Sequence, residues 1–110
     1  MVSNLPSWRS VHTIAFDFDG VFTNNLVFVD EFGNESVACN RSDGLAFDIL
    51  RRFSHFHDWH PDLFILSKET NPVVMARAKK LGLKCSQSVD DKRSYIEKML
   101  KSKNVTQNGL

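Results

Sequence analysis

Ile14-Ala15-Phe16-Asp17-Phe18-Asp19-Gly20-Val21-Phe22-Thr23 is the stretch around which the rest of the chain is organised. An apolar run ends in two carboxylates with one residue between them, the pattern of a buried strand with acids at its carboxyl end. Side chains two apart in an extended chain point to the same side, so Asp17 and Asp19 face one cleft while Phe16 and Phe18 face packed material. Gly20 lets the backbone turn sharply out of the strand. In parallel α/β sheets the crevice beyond the carboxyl ends of the strands is where ligands bind. Two acids this close repel in water-poor surroundings unless positive charge sits beside them. A hard cation such as Mg²⁺ meets that need, since it takes oxygen ligands and a substrate phosphate. The same residues also fit a strand followed by an Asx-Gly turn with both acids solvated.

The chain has 110 residues, room for one domain with one modest core. A hydrophobic fraction of 42% and a charged fraction of 25% place it among soluble globular proteins rather than disordered ones. A formal charge of +1 gives no nucleic-acid stripe and no electrostatic membrane anchor. No apolar run has transmembrane length, and residues 1–10 lack the continuous apolar segment of a signal peptide. Cys39 and Cys85 have no metal-type spacing, so free thiols in a reducing cytoplasm are expected.

Residues 1–9 read as a loose lead-in broken by Pro6 and Ser7, with Trp8 able to pack on the domain or on a neighbouring subunit. Residues 11–18 are predicted as the first and central strand. Residues 26–30 and 35–39 are extended around turn chemistry at 31–34, which predicts a β-hairpin. An isolated hairpin is marginal in water, so this one should lie against something else. A helix follows residue 40, capped by Asp43 or Ser42, with Leu45, Ile49, Leu50 and Phe53 as its apolar face. His55, His57, Asp58 and His60 suggest a transition-metal site, or an ordinary polar loop ended by Pro61. Residues 63–67 form a buried strand ending in the hydroxyl of Ser67. Asn71 and Pro72 open a helix whose buried side is Val73, Val74, Ala78 and Leu81, closed by Gly82. Residues 83–86 are a short third strand. The last helix opens at residues 88–92, with Ile96, Met99 and Leu100 inward; a lysine in its first turn opposes the helix dipole, which makes Lys92 stand out.

The run from Asp17 to Thr23 resembles the first motif, D-x-D-G-[VL]-x-T, of the haloacid dehalogenase superfamily. The chain is most similar to its branch of small sugar-acid phosphatases acting on 3-deoxy-octulosonate 8-phosphate, and to the phosphatase-like C-terminal domain of acylneuraminate cytidylyltransferases. The resemblance covers residues 14–92. It implies an α/β fold, a Rossmann-like parallel sheet flanked by helices, in a single incomplete domain over residues 1–110 with a hairpin flap at about 25–40. By the resemblance Asp17 is the nucleophile, Asp19 the general acid and base, Ser67 the second-motif hydroxyl and Lys92 the third-motif lysine, with Asp17 and Asp19 holding Mg²⁺. The segment Cys39-Asn40-Arg41-Ser42-Asp43-Gly44-Leu45 is similar to an N-x-R-D-G element, implying substrate-binding roles for Arg41 and Asp43, joined by Thr23. A solvated arginine and a plain helix cap are the alternatives for Arg41 and Asp43. Lys68-Glu69 stands where relatives commonly carry Gly-Arg, a departure that bears on specificity.

What the resemblance implies for function is a Mg²⁺-dependent phosphatase of sugar-acid phosphates in lipopolysaccharide or sialic acid biosynthesis. It also implies a cytoplasmic homotetramer in which the hairpin helps cover a neighbour's site, with no nucleic-acid or membrane partner. The family's later G-[DN]-D-x-x-D element has no counterpart here, so the 110-residue chain is expected to be incomplete and weakly active or inactive. The alternatives are a catalytically silent module serving assembly, and a small metal-binding protein using the histidine loop.

Overall fold

The computed structural model describes residues 7–103. Residues 1–6 of the expected lead-in, and the polar end from residue 104, lie outside the described residues. A 3-10 turn at Trp8–Ser10 comes first. Trp8 packs on its own domain: its ring meets Phe53, His57 and Trp59 edge-on at centroid distances of 5.0, 5.3 and 5.2 Å. The Trp59 indole donates to the Val11 carbonyl at 2.9 Å, which ties this segment to the loop after the first long helix.

The elements then run β1 (Thr13–Phe16), β2 (Phe28–Val29), β3 (Glu35–Ser36), α1 (Ser42–His57), β4 (Asp62–Leu66), α2 (Val73–Leu81), β5 (Lys84–Ser86) and α3 (Lys92–Lys103). The strands β1, β4 and β5 form a parallel sheet in that order, flanked by the helices, so the fold is α/β with a Rossmann-like sheet. Strand β1 is shorter than residues 11–18 and lies at the edge, not the centre, because among the described residues it pairs only with β4. It ends early because the backbone leaves the ladder into a turn in which Val21 N and Phe22 N both donate to the Phe18 carbonyl, at 3.2 and 2.9 Å.

The central place goes to β4, whose Phe64, Ile65 and Leu66 are all buried. Alternate residues of a strand face opposite sides. Ile65 joins Phe18, Phe22, Phe47, Val74, Ala78, Leu81 and Leu83 in the core, while Phe64 meets Tyr95 of α3 at 6.4 Å. Burying a side chain such as Phe18, Ile65 or Val74, each 0% exposed, stabilises the fold by roughly 1.5–3 kcal/mol.

Helix α1 buries a different face from the one its pattern suggests. Phe47 is its buried residue and Leu50 packs beside it, whereas Leu45, Ile49 and Phe53 are 62%, 59% and 40% exposed. The cause is aromatic packing: the Phe47 ring sits against Phe16 and Phe22 at 5.4 and 6.0 Å, and a helix rotated to place it there turns the Leu45 stripe outward. The cap also differs. Asn40 Oδ1 accepts from Ser42 N at 2.9 Å and from its hydroxyl at 2.8 Å, so Asn40 does the work expected of Ser42 or Asp43.

Helix α2 begins as its sequence indicates, with Asn71 Oδ1 accepting from Val73 N at 3.0 Å and Pro72 next. It ends at Gly82, whose φ of 72° is left-handed, with Leu83 N donating to the Ala78 carbonyl at 2.9 Å. The strands β2 and β3 pair antiparallel, Phe28 opposite Ser36 and Val29 opposite Glu35. Asp30 organises their turn, its Oδ1 accepting from Phe32 N and Asn34 N, both at 2.9 Å.

Gly82 and Gly44 should respond oppositely to alanine. At Gly82 a Cβ would lie 2.7 Å from Arg51 Nη2 at a positive φ, so Gly82→Ala is expected to cost about 1 kcal/mol or more. At Gly44, in the first turn of α1, a Cβ meets nothing within 4 Å, so Gly44→Ala is expected to stabilise by roughly 0.5 kcal/mol. Urea unfolding midpoints measure both.

Candidate active site

Parallel pairing sets Phe16 opposite Ile65, so Asp17 and Ser67 emerge at the carboxyl ends of adjacent strands. The turn after β1 is fixed in two ways. Gly20 takes a φ of 80°, open to glycine at little cost. The Thr23 hydroxyl accepts from Gly20 N and Asn25 N, each at 3.2 Å. Phe18, 0% exposed, anchors the turn in the core, and the acids on either side of it stay exposed.

Ser67 is 1% exposed. Its N–H donates to the Ser86 carbonyl at 3.0 Å, its carbonyl accepts from Val89 N at 3.0 Å, and its hydroxyl accepts from Glu69 N at 3.0 Å. These bonds tie the loop after β4 to the loop before α3, which Ser88 N strengthens by donating to the Glu69 carbonyl at 3.1 Å. Asp91 then caps α3: its Oδ1 accepts from Ser94 N at 3.0 Å and its Oδ2 from the Ser94 hydroxyl at 2.9 Å. Those bonds hold the Asp91 carboxyl below its ordinary pKa. Lys92 follows as the first residue of α3, and its Nζ donates to Asp17 Oδ1 at 3.0 Å.

Four of the expected site residues therefore converge: Asp17, Asp19, Ser67 and Lys92 all lie at the carboxyl end of the sheet. The Asp19 carboxyl has its pKa raised. Loss of hydrating water is the largest cause, the carboxylates of Glu69 and Asp17 add to it, and Lys92 opposes them. Thr23, Arg41 and Asp43 line a neighbouring open cleft with Asn24, Cys39 and Asn40, separate from the cavity that Asp19 lines. That second cavity, about 230 Å³, lies between Asp19, the base of the β2–β3 hairpin and the loop after β4.

Glu35 and Asn71 line this cavity and were not singled out by sequence reasoning. Asn71 reads as a helix cap, and Glu35 as an ordinary strand residue. Their second use depends on the hairpin folding back: Asn71 Nδ2 donates to the Glu35 carbonyl at 3.2 Å.

Asp17 and Asp19 offer oxygen donors only, and among the described residues Asp17 Oδ2 accepts no hydrogen bond. That donor set fits a hard divalent cation which keeps several waters or takes a phosphate oxygen. Among the described residues no three His, Cys, Asp or Glu side chains gather to hold a metal. The side chains of the histidine loop make other contacts. His60 pairs with Asp58 at 3.0 Å, and the His57 ring packs against Phe53 and Trp8 at 4.3 and 5.3 Å.

The fold is that of the HAD family hydrolases. A Streptomyces avermitilis protein assigned to that family is 33% identical over 92% of this chain, with a TM-score of 0.75, and the match covers 55% of its own chain. More particular likenesses are to 3-deoxy-D-manno-octulosonate 8-phosphate phosphatases. The Moraxella catarrhalis protein, solved with magnesium, phosphate and KDO, has a TM-score of 0.76 at 23% identity, over 93% of this chain and 56% of its own. The cobalt-bound Haemophilus influenzae phosphatase has a TM-score of 0.72 at 20% identity, over 93% and 57%. The chain thus spans little more than half the length of these structures. No protein-family model matches the chain, and no curated protein matches it in sequence.

In the metal-free protein, carboxyl carbon NMR should find Asp19 titrating above the ordinary aspartate range. The sign follows from the causes: Glu69→Gln removes a repelling charge, so it should move that titration to lower pH. An unmoved Asp19 would show that Glu69 does not act on it. Asp91→Ala, which removes the α3 cap, is expected to cost about 1 kcal/mol in thermal or urea unfolding.

Proposed function

We propose that this chain carries the phosphoryl-transfer site of a divalent-metal-dependent phosphomonoester hydrolase acting on a phosphorylated sugar. The observation that carries the reading is the Lys92 Nζ to Asp17 Oδ1 contact at 3.0 Å, which joins a strand-end carboxylate to a cation from the far end of the chain. The HAD-like fold and the phosphatases among its structural neighbours support it.

In this reading Asp17 attacks phosphorus in line, forming an acyl-phosphate bond through its carboxylate oxygen while the bond to the sugar oxygen breaks. Lys92 holds Asp17 in place and neutralises charge on the transferred group. Asp19 gives the departing oxygen its proton, then takes one from the water that hydrolyses the aspartyl-phosphate. Its raised pKa suits that order, since the acid form persists to higher pH and is lost as pH climbs through the raised value. Ser67 donates its hydroxyl proton to a phosphoryl oxygen. The Asp17 carboxylate and the Asp19 backbone carbonyl would hold Mg²⁺, which supplies charge neutralisation for the phosphoryl oxygens.

The sugar-acid phosphates of the resemblance are one instance of this substrate class, with Arg41 in the adjacent cleft as the partner for an acid group. The cysteines, both unpaired, suit the proposed cytoplasmic setting. Among the described residues no helix is long and apolar enough to cross a membrane.

A second reading, an assembly module without turnover, draws on the hairpin. Its Leu26, Phe28, Val29 and Phe32 are 66%, 66%, 59% and 81% exposed, an apolar surface suited to a second copy of the chain.

Phosphate release from a panel of sugar phosphates is expected to require Mg²⁺, and to fall by more than about 10³-fold in Asp17→Asn with an unchanged circular dichroism spectrum. Ser67→Ala should cost about 10²-fold. Turnover is expected to be slow, because among the described residues only the Asp17 carboxylate and the Asp19 backbone carbonyl would hold the ion. Beryllium fluoride, an aspartyl-phosphate mimic, should therefore also raise the melting temperature with Mg²⁺ in the parent and not in Asp17→Asn. Normal turnover in Asp17→Asn would remove the nucleophile assignment. Light scattering tests the second reading: Phe28→Ser with Phe32→Ser should yield monomers if the hairpin joins copies.

A further inference from the structure

We infer that Gln87 is a positioning residue of the phosphoryl site: its side-chain amide latches the loop after β4 to the loop before α3, and so sets where Ser67 and Lys92 stand relative to each other. That these two groups serve a phosphoryl group rests on the phosphatase reading; the latch rests on hydrogen bonds alone. Parallel pairing puts Leu66 opposite Ser86, so the chains leaving β4 and β5 start side by side. Backbone bonds carry the pairing a little further, from Ser67 N to the Ser86 carbonyl and from Val89 N to the Ser67 carbonyl, both at 3.0 Å. The two chains then part, one toward α2 and the other toward α3.

Where they part, a side chain takes over. Gln87 Nε2 donates to the Glu69 and Asn71 carbonyls, each at 3.2 Å. A primary amide carries two N–H donors, so one group serves two carbonyls. The Glu69 carbonyl also accepts from Ser88 N at 3.1 Å. Ser88 has a φ of 60°, in the left-handed region that residues other than glycine seldom adopt. Ser88 is exposed, so packing does not hold it there. The bonds that residues 87, 88 and 89 make to the loop across from them do, and strain of this kind persists only where its surroundings fix it.

Both groups of the site hang from this latch. The Ser67 hydroxyl accepts from Glu69 N at 3.0 Å, which leaves its own proton for another acceptor as long as the backbone at Glu69 keeps its place. Lys92 begins α3 four residues after Ser88, and the course of the chain through Ser88 decides where its ammonium group reaches. Gln87 is not among the residues lining the Asp19 cavity or the Arg41 cleft, so it acts through Ser67 and Lys92 rather than on a ligand.

The test compares the parent with Gln87→Met, which keeps the length of the side chain and removes both donors. Gln87→Ala takes its place if the methionine variant does not fold. Gly82→Ala, at the far end of α2, is the control for lost stability. Amide hydrogen exchange is followed at Ser88 and Val89, and binding of beryllium fluoride is titrated with Mg²⁺ present. Loss of the latch is expected to speed exchange at both amides by at least about tenfold and to weaken beryllium fluoride binding by about tenfold, with neither change in Gly82→Ala. In Ser67→Ala the further loss on Gln87→Met should be smaller than in the parent, because one of the two groups it places is gone. Unchanged exchange in Gln87→Met overturns the inference. So does undiminished binding in that variant, an equal weakening in Gly82→Ala, or a loss of the same size in the Ser67→Ala background. Exchange separates the two readings. If the parent binds no beryllium fluoride, the phosphatase reading falls, and the latch stands or falls on whether Gln87→Met speeds exchange at Ser88 and Val89. If the parent binds it and Gln87→Met changes neither quantity, the latch falls and the phosphatase reading stands.

Discussion

Parallel pairing of β1 with β4, Phe16 beside Ile65, is the constraint from which the site follows. Parallel strands bring like ends together, so two segments about fifty residues apart deliver their carboxyl-terminal side chains to one edge. The ladder continues past the strands, where Ser67 N bonds to Ser86 O and Val89 N bonds to Ser67 O. Those bonds fix where α3 can begin. Asp91 caps that helix and Lys92 is carried onto Asp17. Each step uses a backbone group that the preceding step has already placed.

Electrostatics at this edge is one-sided. Lys92 and Asp17 are both partly exposed, their side chains 31% and 54% accessible, so their pair contributes little to stability and its value is positional. Asp19, Glu69 and Glu35 remain as carboxylates around one cavity. The Asp19 pKa is raised, first by loss of hydrating water and then by the carboxylates of Glu69 and Asp17.

The apolar surface has a related logic. The core takes Phe18, Phe22 and Phe47 as interlocking rings, and that choice turns Leu45 and Ile49 of α1 to the outside. The hairpin, with only two paired residues on each strand, cannot bury its own Phe28 and Phe32. It is tied to the body through Asn71 and through Val37, which packs against the core, and so becomes one wall of the cavity.

Much of this was legible in the residues. The run through Asp17-Phe18-Asp19-Gly20 marked the end of the strand and its turn, because a glycine at positive φ is a local property. Asn71-Pro72 and Gly82 marked the ends of α2 for the same reason. Which face α1 buries, which residue caps it and where β1 sits in the sheet were decided only by tertiary packing. Both stripes of α1 are apolar, and only the position of Phe16 and Phe22 selects Phe47. The contact of Lys92 with Asp17, and the meeting of Glu35, Glu69 and Asp19, span tens of residues and have no local signature. They exist because the sheet brings distant loops to one edge.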